Sequence, residues 1–483
     1  MKSIFGRPLL WSRADSVALL IFGLVVAYVA WQVLLLPFIG YANSYDFLRQ
    51  SSCTGLWQFI DGVDKTHGNY LFPSRFLQFD GDVRSDVCMR SVDNVFPWLT
   101  TLFHEPGEIL SFWQVAIWKL GFLCIGTVLL LMYAGRLRLP LCVIFAVLFT
   151  DWAYLAYANT LYMEFSVVVA TFLALSTGVC LLALGERPGL GLLGLSVFAL
   201  IWLGMSKQQY APMAVVLSWL FALVVWLRWR IGRVVLLYVG LGGGLLFAFS
   251  LMNPSSTELM RTIDQANKTN TFFGAVLPAA ADKPAALRLL GLPDECLADI
   301  GSSWLSKEGH RPCPAVAQVS RMKLLALFVS QPRTLLVPMY RITLGAKPLY
   351  PDYLGVIEPG DAEAAQSKLE LVRTMSLSTW LSGLPPRLYV GLTCLGLLGG
   401  GLAFLILLRS FRGRDGISAG NAPLAVLSLG AFASLYALFS SVFGDGYIEM
   451  SKHAVIFGVG LTFQVVAAAW WFWLMASGWA RRA

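Results

Sequence analysis

Residues 15–39 read DSVALLIFGLVVAYVAWQVLLLPFI and carry no charged side chain after Asp15. A helix needs about 20 mostly apolar residues to cross the hydrocarbon core of a bilayer, and this run meets that length. Basic residues precede it, as they would in a signal peptide, but the run is long and lacks a small-residue cleavage pattern. We therefore interpret it as a retained first transmembrane helix.

Apolar runs of this kind recur along the whole chain of 483 residues. Charged, Pro and Gly clusters separate about ten of them. They begin near Asp15, Ser111, Leu139, Tyr162, Gly189, Gln209, Arg233, Arg387, Asn421 and Lys452. Because 57% of the residues are hydrophobic and only 13% are charged, lipid must be the main solvent. The sequence thus predicts an all-α membrane protein with about ten transmembrane helices.

Two polar stretches interrupt the runs and are too long to be ordinary connections. We therefore predict two large extracytoplasmic loops. The predicted segments are 1–39 (cytoplasmic N-terminus and first helix), 40–110 (first loop), 111–252 (helices two to seven), 253–386 (second loop) and 387–483 (helices eight to ten). The second loop has an apolar character with Pro and Gly punctuation, which favours short helices packed at the membrane mouth.

The basic residues predict the orientation of the helices. With the N-terminus inside, every predicted cytoplasmic segment is basic, as the positive-inside rule requires. These residues are Lys2, Arg7, Arg13, Arg136, Arg138, Arg187, Arg228, Arg230, Arg233, Arg409, Arg412, Arg414, Arg481 and Arg482. Both termini are then cytoplasmic and both long loops are outside. The formal net charge of +8 reflects this topology, so membrane lipid is a predicted partner and nucleic acid is not.

Four of the eight cysteines fall in the predicted outer loops. An oxidising exterior would permit one disulfide in each loop, Cys53 to Cys88 and Cys296 to Cys313. Spacing alone leaves the connectivity open. The other four cysteines lie within apolar runs, where a thiol is usually a small core side chain.

The first outer loop opens with YANSYDFLR (residues 41–49), only a few residues beyond the first helix. Asp46 is therefore held close to the membrane surface. A carboxylate there can take a proton from a hydroxyl while a lipid-borne donor reaches it from the bilayer. The alternative is that Asp46 caps a helix beginning at Phe47 or pairs with Arg49 in solvent.

Residues 150–164 read TDWAYLAYANTLYME, which is dense in hydroxyl, amide and acid groups for a membrane segment. On a helix, Asp151, Tyr154, Ala158 and Tyr162 would share one face, and we expect that face to line a hydrated cavity. An aromatic belt at the interface, with Asp151 satisfied by a neighbouring helix, is the alternative. The further candidates in this segment are Tyr157, Asn159 and Glu164.

Two short outer turns add charged groups. SKQQY (206–210) supplies Lys207 and Gln208, and FGDGYIEMSKH (443–453) supplies Asp445, Glu449, Lys452 and His453. A lipid phosphate needs such donors at the level of the headgroups, although lysines that only anchor helix ends have the same pattern. The glycines on either side of Asp445 permit a tight turn that can aim its side chain inward.

The second loop and the aromatic residues provide weaker candidates. Arg341 is a candidate phosphate or glycan contact, with solvated surface charge as the alternative. The aromatic side chains that could stack on a sugar, or simply anchor the protein at the interface, are Tyr45, Trp57, Trp98, Trp152 and Tyr157. The sequence has no phosphate-binding glycine loop and no Cys or His metal motif, which disfavours cytosolic nucleotide chemistry.

Several of these blocks together resemble a known class. An Asp near the start of a long outer loop after the first helix resembles the GT-C class of membrane glycosyltransferases. More narrowly, the chain resembles the WsfD-like bacterial hexose transferases. The blocks that carry this resemblance are NSYDFLR (43–49), residues 150–164, SKQQ (206–209), FFGAVL (272–277) with LGLP (290–293), and GDGYIEMSKH (444–453).

The resemblance implies inverting transfer of a hexose or pentose from an undecaprenyl-phosphate donor to a glycan or lipid acceptor, at the outer face of the bacterial inner membrane. Asp46 would be the general base. Other members often have paired acids in this loop, whereas Phe47 follows Asp46 here, so dependence on Mg²⁺ or Mn²⁺ stays open and no cofactor is required. The candidate substrate-binding residues are Arg49, Asp151, Tyr157, Asn159, Tyr162, Glu164, Lys207, Gln208, Arg341, Asp445, Lys452 and His453.

Two other functions fit the same features. A flippase or transporter of lipid-linked sugars would also use acids and cations within a helix bundle, although the chain has no internal duplication. A polysaccharide polymerase or ligase would differ in using a diphosphate-linked donor. The sequence does not name the sugar, the acceptor or the linkage.

Overall fold

A computed structural model describes residues 13–38, 45–62, 74–184, 187–252, 257–304, 306, 312–347, 349, 362–412 and 421–480. The α-helices in chain order are α1 (Arg13–Leu34), α2 (Tyr45–Thr54), α3 (Val95–Thr101), α4 (Trp113–Tyr133), α5 (Arg138–Phe149), α6 (Trp152–Leu155), α7 (Glu164–Ala183), α8 (Leu190–Ser206), α9 (Ala211–Trp229), α10 (Gly232–Met252), α11 (Glu258–Thr269), α12 (Lys283–Leu290), α13 (Lys323–Ser330), α14 (Arg333–Gly345), α15 (Ala362–Met375), α16 (Leu377–Gly383), α17 (Pro386–Arg412), α18 (Ala422–Gly444), α19 (Met450–His453) and α20 (Val455–Ala480). The strands are β1 (Leu56–Gln58), β2 (Phe76–Phe79) and β3 (Ile109–Ser111).

The prediction of an all-α membrane protein is confirmed. Among the described residues, seven helices are long and apolar enough to cross a membrane: α1, α4, α7, α17, α18, α20, and the span 208–229 that contains α9. Two more, α8 and α10, are apolar with shorter spans. The remaining predicted run, which begins near Leu139, contains α5, whose 12 residues reach only about 18 Å, too short for a hydrocarbon core of about 30 Å.

Helix α7 lies at the centre of the bundle, and all of its residues are buried. It packs against α4, α8, α18 and α20. Small residues allow this close approach. At Gly178, an added Cβ would lie 2.8 Å from the ring of Phe221 on α9 and 2.9 Å from Leu429 on α18. The apolar core of the bundle is therefore built around one fully enclosed helix.

The polar segments gather at the end of the bundle where α7 begins and α8 ends, which we call the loop end. The first loop forms α2, α3 and an antiparallel sheet in the order β1-β2-β3. Its register pairs Leu56 with Phe79 and Leu77 with Leu110. This sheet was not predicted, because strands of three or four residues are too short to show a clear alternation. In the second loop, α14 packs on the membrane helices α17 and α18.

Each loop contains one disulfide bond. Cys53 is bonded to Cys88, with 4.8 Å between the Cα atoms, and Cys296 is bonded to Cys313, with 5.2 Å between them. These are the two pairs that an oxidising exterior would permit. The first disulfide ties the end of α2 to the chain before α3, and the second closes the part of the second loop that contains Trp304.

Candidate functional site

A cavity of about 1090 Å³ lies at the loop end of the bundle. Its walls include Glu164 at the start of α7, Lys207 at the end of α8 and Asp445 at the end of α18. Antiparallel helices bring these termini to the same end. Both loops complete the walls, through Arg49 of α2 and through α11.

Many of the candidate residues share this cavity. Those that line it are Arg49, Tyr162, Glu164, Lys207, Gln208, Asp445 and His453. Lys452 lies just behind the wall: it is 1% exposed, and its Nζ is 4.9 Å from the ring centroid of Tyr162 and 3.2 Å from Oε2 of Glu449. Asp46 belongs to α2, but its side chain lies outside the described residues.

Asp151 has a different place from the one expected. Residues 150–164 do not form one helix: Asp151 is the N-cap of the short α6, and α7 begins only at Glu164. The Asp151 carboxylate accepts hydrogen bonds from the backbone N–H groups of Ala153 at 2.9 Å and Ser378 at 2.7 Å, and from the Ser378 hydroxyl. The prediction that Asp151 lies on a cavity-lining face of one continuous helix is therefore wrong. Asp151 is an N-cap, so a new helix begins after it, and its carboxylate bonds to backbone N–H groups instead of facing the cavity. Asp151 joins the α5 end to α16.

Three further candidates lie outside the cavity lining. Tyr157 is fully buried. The Asn159 side-chain amide donates to the carbonyl of Val33 at 3.2 Å, at the end of α1. Arg341 stacks on Tyr447, with 5.8 Å from its guanidinium carbon to the ring centroid. Asn159 and Arg341 are held by partners that are far away in the sequence, so their places could not be predicted from their neighbours in the chain.

The aromatic residues of the cavity are also not the ones expected. Trp57 and Trp152 are each 1% exposed within the core, and Trp98 is on the surface. The side chain of Tyr45 lies outside the described part of the chain. The aromatic side chains that do line the cavity are Tyr162, Trp304, Tyr436, Phe439 and Phe443.

An ion pair fixes the cationic side of the cavity. Lys207 Nζ donates to Glu164 Oε1 at 3.0 Å, and the two side chains are only 12% and 3% exposed. Glu164 is in the first turn of α7, where the helix dipole favours a negative charge. An ammonium group paired in this way has a fixed position at the wall.

Lys119 was not among the predicted site residues, yet it holds the turn before α7 in place. It is fully buried in α4, and its Nζ donates to the backbone carbonyls of Thr160 at 2.7 Å and Tyr162 at 3.0 Å. These two bonds fix the turn that presents Tyr162 and Glu164 to the cavity. A signal was present: Lys119 is the one charged residue in the apolar run 111–133, and a charge inside a membrane segment is rarely there without a partner.

Asp93 completes the buried charge cluster from the side of the first loop. Burial raises the pKa of Asp93 to about 6, although the charge of Lys119 and a hydrogen bond from the Ser166 hydroxyl both lower it. Two carboxylates, Asp93 and Glu164, both interact electrostatically with the buried ammonium of Lys119. The cluster ties the first loop to α4 and α7 beneath the cavity.

His453 is oriented by two side chains, Gln209 and Asp445. Its Nδ1 lies 3.0 Å from Gln209 Oε1, and its Nε2 lies 3.3 Å from Asp445 Oδ2. Gln209 Nε2 donates to the His453 carbonyl at 2.9 Å, which fixes the amide orientation so that Oε1 faces the ring. Asn270 Nδ2 donates to Asp445 Oδ1 at 2.8 Å. Each ring nitrogen therefore faces an oxygen atom.

The second loop is locked to the turn that contains Asp445. Asn270 begins a π-helical segment, Asn270–Val276, and its Oδ1 accepts from the backbone N–H of Trp304 at 2.8 Å. Gly446 has φ 60°, and an added Cβ would lie 2.5 Å from the Asn270 carbonyl oxygen. Only glycine fits there. One asparagine therefore sets the positions of both Asp445 and Trp304.

Charge pairs also brace α11, the wall provided by the second loop. Asp264 pairs with Arg321 and with Lys268, the latter at 2.9 Å. Burial by itself would raise the pKa of Asp264, but Arg321 and Lys268 together hold it below its usual value. Lys268 also donates to the carbonyl of Ala317 at 2.7 Å. These contacts hold α11 against the segment that follows the second disulfide.

The cavity therefore combines cations, carboxylates, amides and aromatic rings in one site. Such a set can bind a phosphate through Lys or Arg and a polyhydroxyl group through carboxylates, amides and rings. Within the described ranges, no group of three His, Cys, Asp or Glu side chains is placed to hold a metal ion.

These features define a multi-pass membrane protein with a polar, enclosed site at one end of its helix bundle. The chain belongs to the family described as the YfdI N-terminal transmembrane domain, whose model matches residues 9–311, more than half of the sequence. That match includes Arg49, Glu164 and Lys207 and ends before Asp445 and His453. Searches among curated proteins and among solved structures returned no match.

Proposed function

We propose that this protein is a GT-C-type membrane glycosyltransferase of the bacterial inner membrane. It moves a sugar from a polyprenyl-phosphate donor to a glycan or lipid acceptor on the extracytoplasmic face, with both termini in the cytoplasm. The observation that carries the proposal is the polar cavity of about 1090 Å³ at the ends of the membrane helices, walled by both loops. Its size is at the upper end of ligand pockets, which span about 300–1000 Å³.

The proposed reaction exchanges one glycosidic bond for another. An acceptor hydroxyl oxygen attacks C1 of the sugar as the bond from C1 to the phosphate oxygen breaks. The polyprenyl phosphate leaves with the bonding electrons, the hydroxyl proton passes to Asp46, and the configuration at C1 inverts. Asp46 is in α2, three residues before Arg49, which lines the cavity.

The leaving phosphate gains negative charge as the bond breaks. A fixed cation that meets this charge lowers the barrier more than one that must first reorient. Lys207 meets this requirement because Glu164 holds its ammonium at the cavity wall, 3.0 Å away. Arg49 also lines the cavity and is the second cation assigned to the phosphate.

A flippase or transporter of lipid-linked sugars is less well supported. Transporters of this kind bind their cargo near the middle of the bilayer, between structural repeats. Here the cavity is lined by residues at helix ends, such as Lys207 and Asp445, all at the loop end of the bundle. A polymerase or ligase would require a diphosphate-linked donor, which a donor panel would detect.

The test is sugar transfer in liposomes that contain only this protein, a radiolabelled polyprenyl-phosphate sugar and an acceptor glycolipid. Asp46→Asn should lose transfer by about 100-fold or more while its thermal unfolding midpoint is unchanged, because a general base contributes about that much. Asp86→Asn is the control, since Asp86 is an exposed acid of the same loop. Full transfer by the Asp46 variant would refute its role as base, and lipid movement without a new bond would indicate a flippase.

A further inference from the structure

Glu449, which pairs with the buried Lys452, is the cavity-lining carboxylate with the least usual backbone conformation. It has φ 44° and ψ 44°, a left-handed backbone that a residue with a long side chain rarely adopts. Among the described residues, two other non-glycine residues have positive φ, Arg230 and Cys313. Arg230 ends α9 in an ordinary left-handed cap, and Cys313 is held in a disulfide. Glu449 has neither explanation.

The side chain of Glu449 does not serve the local fold as a cap either. It occupies the N-cap position of α19 but makes no capping hydrogen bond. Its backbone carbonyl does accept from the N–H groups of Lys452 at 2.9 Å and His453 at 3.0 Å. Any residue could supply that carbonyl, and glycine or asparagine would do so with less strain. A strained residue that lines a cavity suggests selection for its side chain.

Among the described residues, four carboxylates line the cavity, and they have different surroundings. Glu164 pairs with Lys207, Asp264 with Arg321 and Lys268, and Asp445 accepts from Asn270 and faces His453. The Glu449 side chain is 31% exposed and lines the cavity, and its Oε2 lies 3.2 Å from the buried Nζ of Lys452. Lys452 therefore orients this carboxylate from behind, while Glu449 itself faces the space where a ligand would lie.

We infer that Glu449 recognises hydroxyl groups of the transferred sugar. An ionised carboxylate only accepts hydrogen bonds, so its natural ligand is a group rich in donors, and neighbouring sugar hydroxyls provide two O–H donors at matching spacing. Phosphate, the other part of the donor lipid, is repelled by a carboxylate and is assigned to the cations. This inference rests on the proposed function and adds to it the residue that distinguishes sugar-bearing lipid from the bare carrier.

The test compares two lipids that differ only in the sugar. One is a polyprenyl phosphate glycosylated with glucose, galactose or mannose, taking whichever the wild-type protein binds most tightly. The other is the methyl ester of the same polyprenyl phosphate, which has the same single negative charge. The readout is the ratio of the two dissociation constants, measured on full-length protein in nanodiscs. Since a hydrogen bond to a charged group is worth about tenfold or more in affinity, Glu449→Gln should reduce the ratio at least tenfold with little change for the methyl ester.

A second pair of variants tests the inference if Glu449→Gln fails to fold. Asp and Asn both tolerate the left-handed conformation and have the same shape, so Glu449→Asp and Glu449→Asn differ in charge alone. The ratio should be higher for the Asp variant than for the Asn variant. Arg230→Gly is the control for relief of backbone strain and should leave the ratio unchanged.

Two results would overturn the inference, and they are distinguishable. Equal ratios for the wild type and all Glu449 variants would exclude Glu449 from sugar recognition and leave the proposed function intact. If the wild-type protein binds none of the glycosylated lipids more tightly than the methyl ester, the inference also fails, and the liposome transfer assay then decides the proposed function separately.

Discussion

Replacement of Lys119 by methionine should destabilise the protein more than other single changes near the site. The ammonium donates to two buried carbonyls, those of Thr160 and Tyr162, and its charge stabilises the ionised form of the buried Asp93. Methionine fills a similar volume but makes none of these interactions. Removal of one partner from a buried charge cluster costs about 3–5 kcal/mol, because the remaining charges and carbonyls stay buried without compensation.

The free energy of unfolding can be measured in mixed micelles of mild detergent and dodecyl sulfate. We expect Lys119→Met to lower it by about 3–5 kcal/mol and Lys283→Met, an exposed lysine of α12, to change it by less than about 0.5 kcal/mol. The double variant Asp93→Asn with Lys119→Met should be more stable than the sum of the single changes, since one uncompensated carboxylate is removed. A loss below about 1 kcal/mol for Lys119→Met would refute the tethering role of this residue, because even a single buried unpaired group costs that much.

Two further changes probe other parts of the structure. Gly446→Ala should lower the thermal unfolding midpoint and weaken lipid binding, because the left-handed backbone costs about 1–2 kcal/mol and the new Cβ would lie 2.5 Å from the Asn270 carbonyl oxygen. Gly444→Ala, which has open space at its Cβ, is the matched control. Equal midpoints for the two variants would contradict the close packing of Gly446 against Asn270. Asp93, with its pKa raised to about 6 in the folded protein, holds a proton there that the unfolded chain has lost, so its contribution to stability falls as the pH rises from about 4 to about 6. Asp93→Asn should therefore gain stability relative to the wild type over that range, by as much as about 3 kcal/mol, and parallel curves of unfolding free energy against pH would exclude this linkage.

Much of the fold could be predicted because the bilayer imposes a simple rule. Backbone groups in hydrocarbon must be satisfied within the segment, so a long apolar run has to be a helix. The predicted starts near Ser111, Gly189 and Asn421 agree with α4, α8 and α18 to within a few residues. In polar segments this rule does not apply, so their secondary structure could not be predicted in the same way. The break between α5 and α6 at Asp151 was missed. The Asp151 carboxylate caps α6 at Ala153, but it is also held by Ser378, which is 227 residues away in the chain.

The candidate site shows the same division. Patterns of charge and of Gly near the ends of apolar runs were enough to single out Lys207, Glu164 and Asp445, since helix ends are where a membrane protein can place polar groups at low cost. The same patterns also pointed to Arg341 and Asn159, which the structure keeps outside the cavity lining. Local sequence could not separate these two sets, because each residue was judged only by its neighbours in the chain.

The sequence by itself determined three things: that this protein spans a membrane, where its long apolar helices begin, and at which end of the bundle its polar groups lie. All three follow from the cost of placing charge or unpaired backbone in lipid, a cost that each segment incurs on its own. Only the tertiary structure decided which polar groups meet. Lys119 beneath Tyr162, Asn270 between Asp445 and Trp304, and Gln209 against His453 are contacts between segments far apart in the chain, and they arise from the packing of the whole bundle.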